Sequence, residues 1–201
     1  AEELRLLVTR YLEGKVFRYV PKNNVLLVAV PELEGAIRER FPGLALVAVS
    51  KHLPNRLAVS VSERGYAGTW CAVSDLPLPP RREPQNPEEP FLATSVASAS
   101  GITVSSVSKC FLVDPDGVAY GEAAESSGTL QFKILAKRPD PPTLGSRVIE
   151  PETLAWLRRA RELLQGRFEI RTARFEVSNL PDVIARATEG WALLLDTSMS
   201  V

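Results

Sequence analysis

The chain has 201 residues, and its 24 lysines and arginines balance 24 aspartates and glutamates. Zero formal net charge excludes the cationic excess that a nucleic-acid face or a polybasic membrane surface needs. Two cysteines and one histidine exclude the usual four-ligand zinc site, and no apolar run reaches the roughly 18–20 residues that span a bilayer.

The first residue is Ala rather than Met, so we expect a piece of a longer chain. Its start has neither the basic n-region nor the cleavage site of a signal peptide. Residues 2 to 13 place Leu4, Leu7, Val8 and Tyr11 on one helical face, with Gly14 as the expected stop. Val16 to Val30 is β-branched but interrupted by Pro21 and Asn23-Asn24, which predicts two short extended pieces. Pro31 then opens a second helix, with Glu32 and Glu34 favourable near its N-terminus. Its inner stripe is Leu33, Ala36, Ile37 and Phe41, and Pro42-Gly43 ends it. Leu44 to Ser50 and Leu57 to Ser62 alternate with period two around Lys51-His52-Leu53-Pro54-Asn55, the pattern of an antiparallel hairpin. Residues 1–65 therefore read as a small α+β module with helices on one face of a sheet.

After Gly65 the texture changes. Tyr66 to Val73 is a strand candidate, and Asp75 to Pro90 carries six of the sixteen prolines. That density, followed by a Ser/Ala/Val-rich run, makes 75–108 an extended, exposed insertion. Lys109 to Tyr120 is a hairpin around Asp114-Pro115-Asp116-Gly117, with Pro at i+1 and Gly at i+3 of a type I turn. Leu130 to Ala136 is a further strand. Glu150 to Leu164 is a helix carrying Leu154, Leu157, Ala160 and Leu164 inward, Arg158, Arg159 and Arg161 outward, and Gly166 at its end. Arg167 to Val177 alternates as a strand, and Asp182 to Asp196 as a hairpin turning at Glu189-Gly190. Residues 66–201 form a mainly antiparallel β domain with one helix, and the whole chain is α+β.

The candidates for chemistry are few. Asp114 and Asp116 could hold Ca²⁺ or act as acid and base. The segment lacks the further ligands and closing Glu of an EF-hand, so they read as turn formers. His52 could be a general base, but no nucleophile elbow or catalytic-Cys signature accompanies it, and it sits at a bend. The arginine cluster 158–161 reads as a solvated helix face, and Trp70, Trp156 and Trp191 as core or interface anchors. GxGxxG and Walker patterns are absent, so no catalytic residue, metal or cofactor is expected. Cys71 and Cys110 both lie in strand-like sequence and are either a disulfide or two unrelated buried thiols.

The segment FPGLALVAVSKHLPNRLAVSVSER resembles the closing helix and hairpin of a POTRA domain, specifically that of the FtsQ/DivIB family of bacterial cell-division proteins. Pro42, Val47, Val49, Lys51, Pro54, Leu57, Val59, Val61, Glu63 and Arg64 match the family's pattern in order. Trp70-Cys71, CFLVDPDGVAY, GTLQFKI, Leu144-Gly145 and the helix around Trp156 continue the likeness along nearly the whole chain. The resemblance implies a POTRA-like domain over 1–65 and an FtsQ-type β domain over 66–201. It also implies a non-enzymatic, single-pass scaffold outside the membrane that recruits and regulates septal peptidoglycan synthesis with FtsB/FtsL-type partners. That location is oxidising in many bacteria, which favours the Cys71–Cys110 disulfide.

The family pattern also has a strand before its first helix, and a helix and edge strand after the Trp191 hairpin. None of these falls within this sequence. Trp191, Ala192, Leu193, Leu194 and Leu195 are accordingly expected as an exposed strand and the candidate partner-binding segment. Two other readings compete: a POTRA chaperone module of an outer-membrane assembly or secretion protein, and a periplasmic hydrolase using Asp114 or His52.

Overall fold

Helix α2 (Val30–Arg40) shows how the first part of the chain is built. Pro31 lies in its first turn, and Leu33 and Ile37, one turn apart, are fully buried. They pack on Val47 and Val49 of strand β3 (Leu44–His52), which pairs antiparallel with β4 (Arg56–Glu63). The register sets Val47 opposite Val61 and Val49 opposite Val59, so period-two alternation delivers one apolar face to the helix. Helix α1 (Glu2–Leu12) adds Leu4, Leu7, Val8 and Tyr11 to the same cluster.

The computed structural model describes residues 2–13, 15–16, 20–21, 24–74, 107–124, 131–138 and 140–198, and of 15–16, 20–21 and 107–108 the backbone alone. The chain divides into two compact units, Ala1–Gly65 and Tyr66–Val201. It is α+β: a small helix-plus-sheet region followed by a larger β domain.

Within the first unit, strands β1 (Lys15–Val16) and β2 (Val20–Pro21) form a minimal antiparallel pair. Val25–Leu27, expected as extended, is instead a 3-10 turn. Asn24 is the reason: its side-chain oxygen accepts the Leu26 N–H at 3.0 Å, an N-cap that an extended chain cannot use. The expected Gly14 stop lies outside the described residues.

The second unit is one seven-stranded sheet in the order β11-β10-β9-β8-β5-β6-β7. Its strands are β5 (Gly68–Val73), β6 (Val107–Val113), β7 (Ala119–Ala123), β8 (Lys133–Lys137), β9 (Thr172–Asn179), β10 (Asp182–Ala187) and β11 (Ala192–Asp196). Most neighbours are antiparallel, but β8 runs parallel to both β5 and β9. Helix α3 (Pro151–Phe168) is the crossover that a parallel β8–β9 step requires. It lays Leu154, Leu157 and Leu164 against Trp70, Phe111, Ile134, Phe175 and Val183 on one face of the sheet. On a second cluster, Cys71, Val73, Cys110 and Leu135 are buried together.

Three boundaries differ from the expectation. Helix α3 runs through Gly166 to Phe168, and the strand expected from Arg167 begins only at Thr172. The closure is made by Glu169 in the left-handed region (φ 57°), after which Ile170 N–H donates to Leu164 C=O at 2.9 Å. Strand β6 begins at Val107, inside the stretch expected as insertion. The rest of that stretch, 75–106, lies outside the described residues, as do 125–130 and so the expected strand start at Leu130.

Candidate functional site

The motif around the first hairpin has a definite structural role. Arg64 Nε donates to Pro42 C=O at 3.0 Å, and Arg64 N–H to Gly43 C=O at 2.9 Å. The two ends of the segment are thereby tied together. Along β3, Glu34 Oε1 accepts the Val49 N–H at 2.9 Å, and Arg38 Nη2 donates to Val47 C=O at 3.0 Å. These two side chains of α2 also pair with each other at 3.5 Å. Lys51 Nζ donates to Leu26 C=O at 3.0 Å. Residues 47 and 49 therefore have backbone groups satisfied by side chains where a further strand would otherwise bond.

His52 closes β3 opposite Arg56, exposed, with Nε2 3.2 Å from Ser50 Oγ. Asp114 is buried, and its Oδ1 accepts the N–H groups of Asp116 (3.1 Å) and Val118 (2.9 Å). Gly117 N–H returns to Asp114 C=O at 3.0 Å. Gly117 has φ 75°, and a Cβ there would overlap Ile149 C=O, so this turn demands glycine. Asp114 thus spends one oxygen on its own turn. Burial raises the Tyr120 pKa above its usual 10.0, and the neighbouring Tyr66 and Asp114 add to the shift.

Cys71 and Cys110 stand directly opposite across β5 and β6, with Cα atoms 4.0 Å apart and the sulfurs joined. Trp70 and Phe111 meet at 6.4 Å on the adjacent rung. Trp156 packs at the margin of the same core. Arg158 and Arg159 are exposed, whereas Arg161 lies over the Phe132 ring at 5.7 Å. Arg161 is therefore not part of a purely solvated face: its guanidinium covers an aromatic ring that itself packs on Phe175.

The C-terminal hairpin turns at Gly190 (φ 94°), where Ala187 N–H donates to Trp191 C=O at 3.0 Å. Glu189 accepts from the Thr188 hydroxyl at 2.8 Å, and that bond holds its carboxyl below the usual range. Trp191 is 37% exposed. Ala192 is exposed, while Leu193, Leu194 and Leu195 are half-buried, Leu193 and Leu195 against the core under α3. The segment is less bare than an isolated strand, because alternate leucines are already used. Its position is the end of the sheet. Among the described residues no side chain hydrogen-bonds the backbone of Ala192–Leu195.

Sequence reasoning missed one cluster. Glu176 of β9 is 1% exposed, and its Oε1 accepts from Arg174 Nε (2.9 Å) and Arg186 Nε (3.0 Å). Its Oε2 is buried without a hydrogen-bond partner. Arg174 and Glu176 are two apart on one strand, and Arg186 lies opposite Arg174 on β10, so all three share a face. The Arg-x-Glu spacing in TARFEVSN was the available signal.

A hollow of about 300 Å³ opens in the second unit between the ends of β8 and β9 and the approach to α3. Among the described residues no group of three His, Cys, Asp or Glu side chains is placed to hold a metal ion, and no helix is long and apolar enough to cross a membrane. No family model matches the chain, and no curated protein matches its sequence.

Proposed function

We propose that the chain is an extracytoplasmic part of an FtsQ-type division protein: a non-enzymatic scaffold anchored by one membrane helix outside this sequence. It would bind FtsB/FtsL-type partners at the septum through strand addition at β11. The observation that carries this reading is the contrast in strand edges. Ala192–Leu195 of β11, at the end of the large sheet, have no side-chain bond to their backbone among the described residues, whereas Val47 and Val49 of β3 are already bonded by Arg38 and Glu34. An extended peptide needs unpaired backbone groups to add as a strand, with pockets for alternate side chains setting specificity. Trp191, exposed beside that edge, suits an interface anchor.

The ordered motifs support the same assignment, since Pro42 and Arg64 of the matching pattern are joined in one contact. The occupied edge of β3 also weighs against a POTRA chaperone that would guide clients along that strand. The test is a fluorescent fusion of the full-length protein in its native host, with Leu194→Pro as the variant. Proline removes a backbone donor and resists the strand conformation within a ladder. We expect the parent at the septum and co-purifying with its partner, and the variant folded but without the partner. A parent protein distributed evenly around the membrane would overturn the reading.

A further inference from the structure

We infer that the second unit carries a separate peptide-docking trough beside the N-terminal approach to α3, suited to an extended segment with a large apolar residue next to a carboxylate. Its inner part is the hollow of about 300 Å³ floored by Trp70, Ile134, Ala136 and Val177 and walled by Val148 and Ile149. An outer hollow of about 440 Å³ adjoins it, and the two share Arg138 and Arg147. The outer part is polar, with Asp140, Thr143 and Ser146 beside Pro141-Pro142. Two lobes joined at a pair of arginines make an elongated site, which fits an extended chain better than a compact small molecule.

The charge at the junction selects the partner. Among the described residues Arg138 has no ion-pair partner, and Arg147 has only Glu150, at 3.6 Å and exposed on both sides. Such a surface pair is weak enough to be exchanged for a better-placed carboxylate. Asp140 on the outer lobe and Glu150 on the inner one restrict an incoming acid to the space between the arginines. An apolar side chain one or two residues along would then enter the inner lobe.

The frame is held in advance. Arg138 N–H donates to Val73 C=O at 3.0 Å, fixing one side to β5. On the other, Val148 N–H donates to Gly117 C=O (2.8 Å) and Ala119 N–H to Ser146 C=O (3.0 Å), and Val118 bridges Arg147. A wall pinned by backbone bonds loses little freedom on binding. None of this involves β11. The trough deepens the scaffold reading by giving it a second contact, and it rests on that reading only for its biological setting.

The experiment is a selection of displayed random peptides on the full 201-residue chain, followed by fluorescence-anisotropy titration of the enriched peptides. We expect an apolar residue within two positions of Asp or Glu, a change in tryptophan emission, and affinity weakened about tenfold or more by Arg138→Glu and by the hollow-filling Ala136→Leu. Arg138→Lys should keep most of the affinity. Arg138 is exposed at the rim, and circular dichroism of each variant reads folding separately. Enrichment of no peptide, or of peptides that bind all variants equally, overturns the trough. So does equivalent binding of decanoate, which would make it a small-amphiphile site, or self-association lost in Arg138→Glu, which would make the occupant a second copy. The titration contains no division partner. A failed titration beside intact septal localisation removes the trough alone, and a successful one beside diffuse localisation removes the division reading alone.

Discussion

In the first unit the backbone of β3 is engaged by α2: Glu34 takes the Val49 N–H and Arg38 gives to Val47 C=O. In the second, β11 ends a seven-stranded sheet and Ala192–Leu195 have no such side-chain bonds among the described residues. The cores differ as well. The first unit buries Leu33, Ile37, Val47 and Val49 under two helices with half-buried neighbours around them. The second has a large aromatic-rich core and a covalent cross-link. In the small sheet the α2 side chains occupy the β3 side, which removes one place where an unpaired strand invites unwanted pairing. The larger, cross-linked sheet leaves Ala192–Leu195 without such bonds among the described residues, and it is there that we propose strand addition.

The disulfide separates the two units by the largest expected effect. Cys71 and Cys110 are 39 residues apart, and closing a loop of that length stabilises by about 4 kcal/mol in the chain-entropy model. We expect the double Cys→Ala variant to lose that from the second unit only. Amide exchange of α2 and β3 should stay unchanged, and a loss of protection there would mean that the units unfold together.

Val47→Asp tests the other side. Val47 is 1% exposed, and an unpaired charge there should cost about 3 kcal/mol or more. Protection of β3 and β4 should collapse while β5 and β6 keep theirs. Within the second unit, Glu176→Ala leaves Arg174 and Arg186 facing each other without their shared carboxylate. We expect a loss of about 2–3 kcal/mol, below the usual range for a buried pair because both arginines reach solvent. Glu176→Gln, which keeps an acceptor oxygen, should recover part of it in urea unfolding.

The smallest effect is alkaline. Burial raises the pKa of Tyr11 above 10.0, and its hydrogen bond to Glu32 adds to the shift. A group whose folded pKa is raised contributes stability that is complete below the unfolded value and lost as pH rises through the folded one. The first unit should therefore weaken above about pH 10 by less than about 1 kcal/mol, since Tyr11 is only half-buried and solvent screens the contribution. Tyr11→Phe should flatten that slope in a phenolate-absorbance titration with parallel melting. Tyr120 shifts in the same direction in the second unit.

Both hairpins flanking clear turns were legible, because Asp114-Pro115-Asp116-Gly117 and Glu189-Gly190 carry their own turn chemistry between alternating residues. The helix stripes of Leu33/Ile37 and Leu154/Leu157/Leu164 were legible for the same local reason. The end of α3 was not: Gly166 has open space where a Cβ would sit, so nothing forces it out of the helix, and Glu169 makes the left-handed closure instead. Nor was the parallel placement of β8. Alternation in Lys133–Lys137 fixes which side chains face the core but not which strands lie beside it. That choice is made by the α3 crossover. Arg161 over Phe132 escaped because the ring comes from another segment, and the Glu176 cluster because Arg174 on the same strand is completed only by Arg186 of β10.

We propose β11, and not β3, as the strand that meets a partner. A photo-reactive amino acid placed at Trp191, and in parallel at the exposed Leu53 in the bend between β3 and β4, tests it directly in dividing cells of the native host. We predict an FtsB/FtsL-type protein cross-linked from position 191 and not from position 53. Capture of such a partner from position 53 alone, or from neither position in folded and membrane-anchored protein, would contradict it.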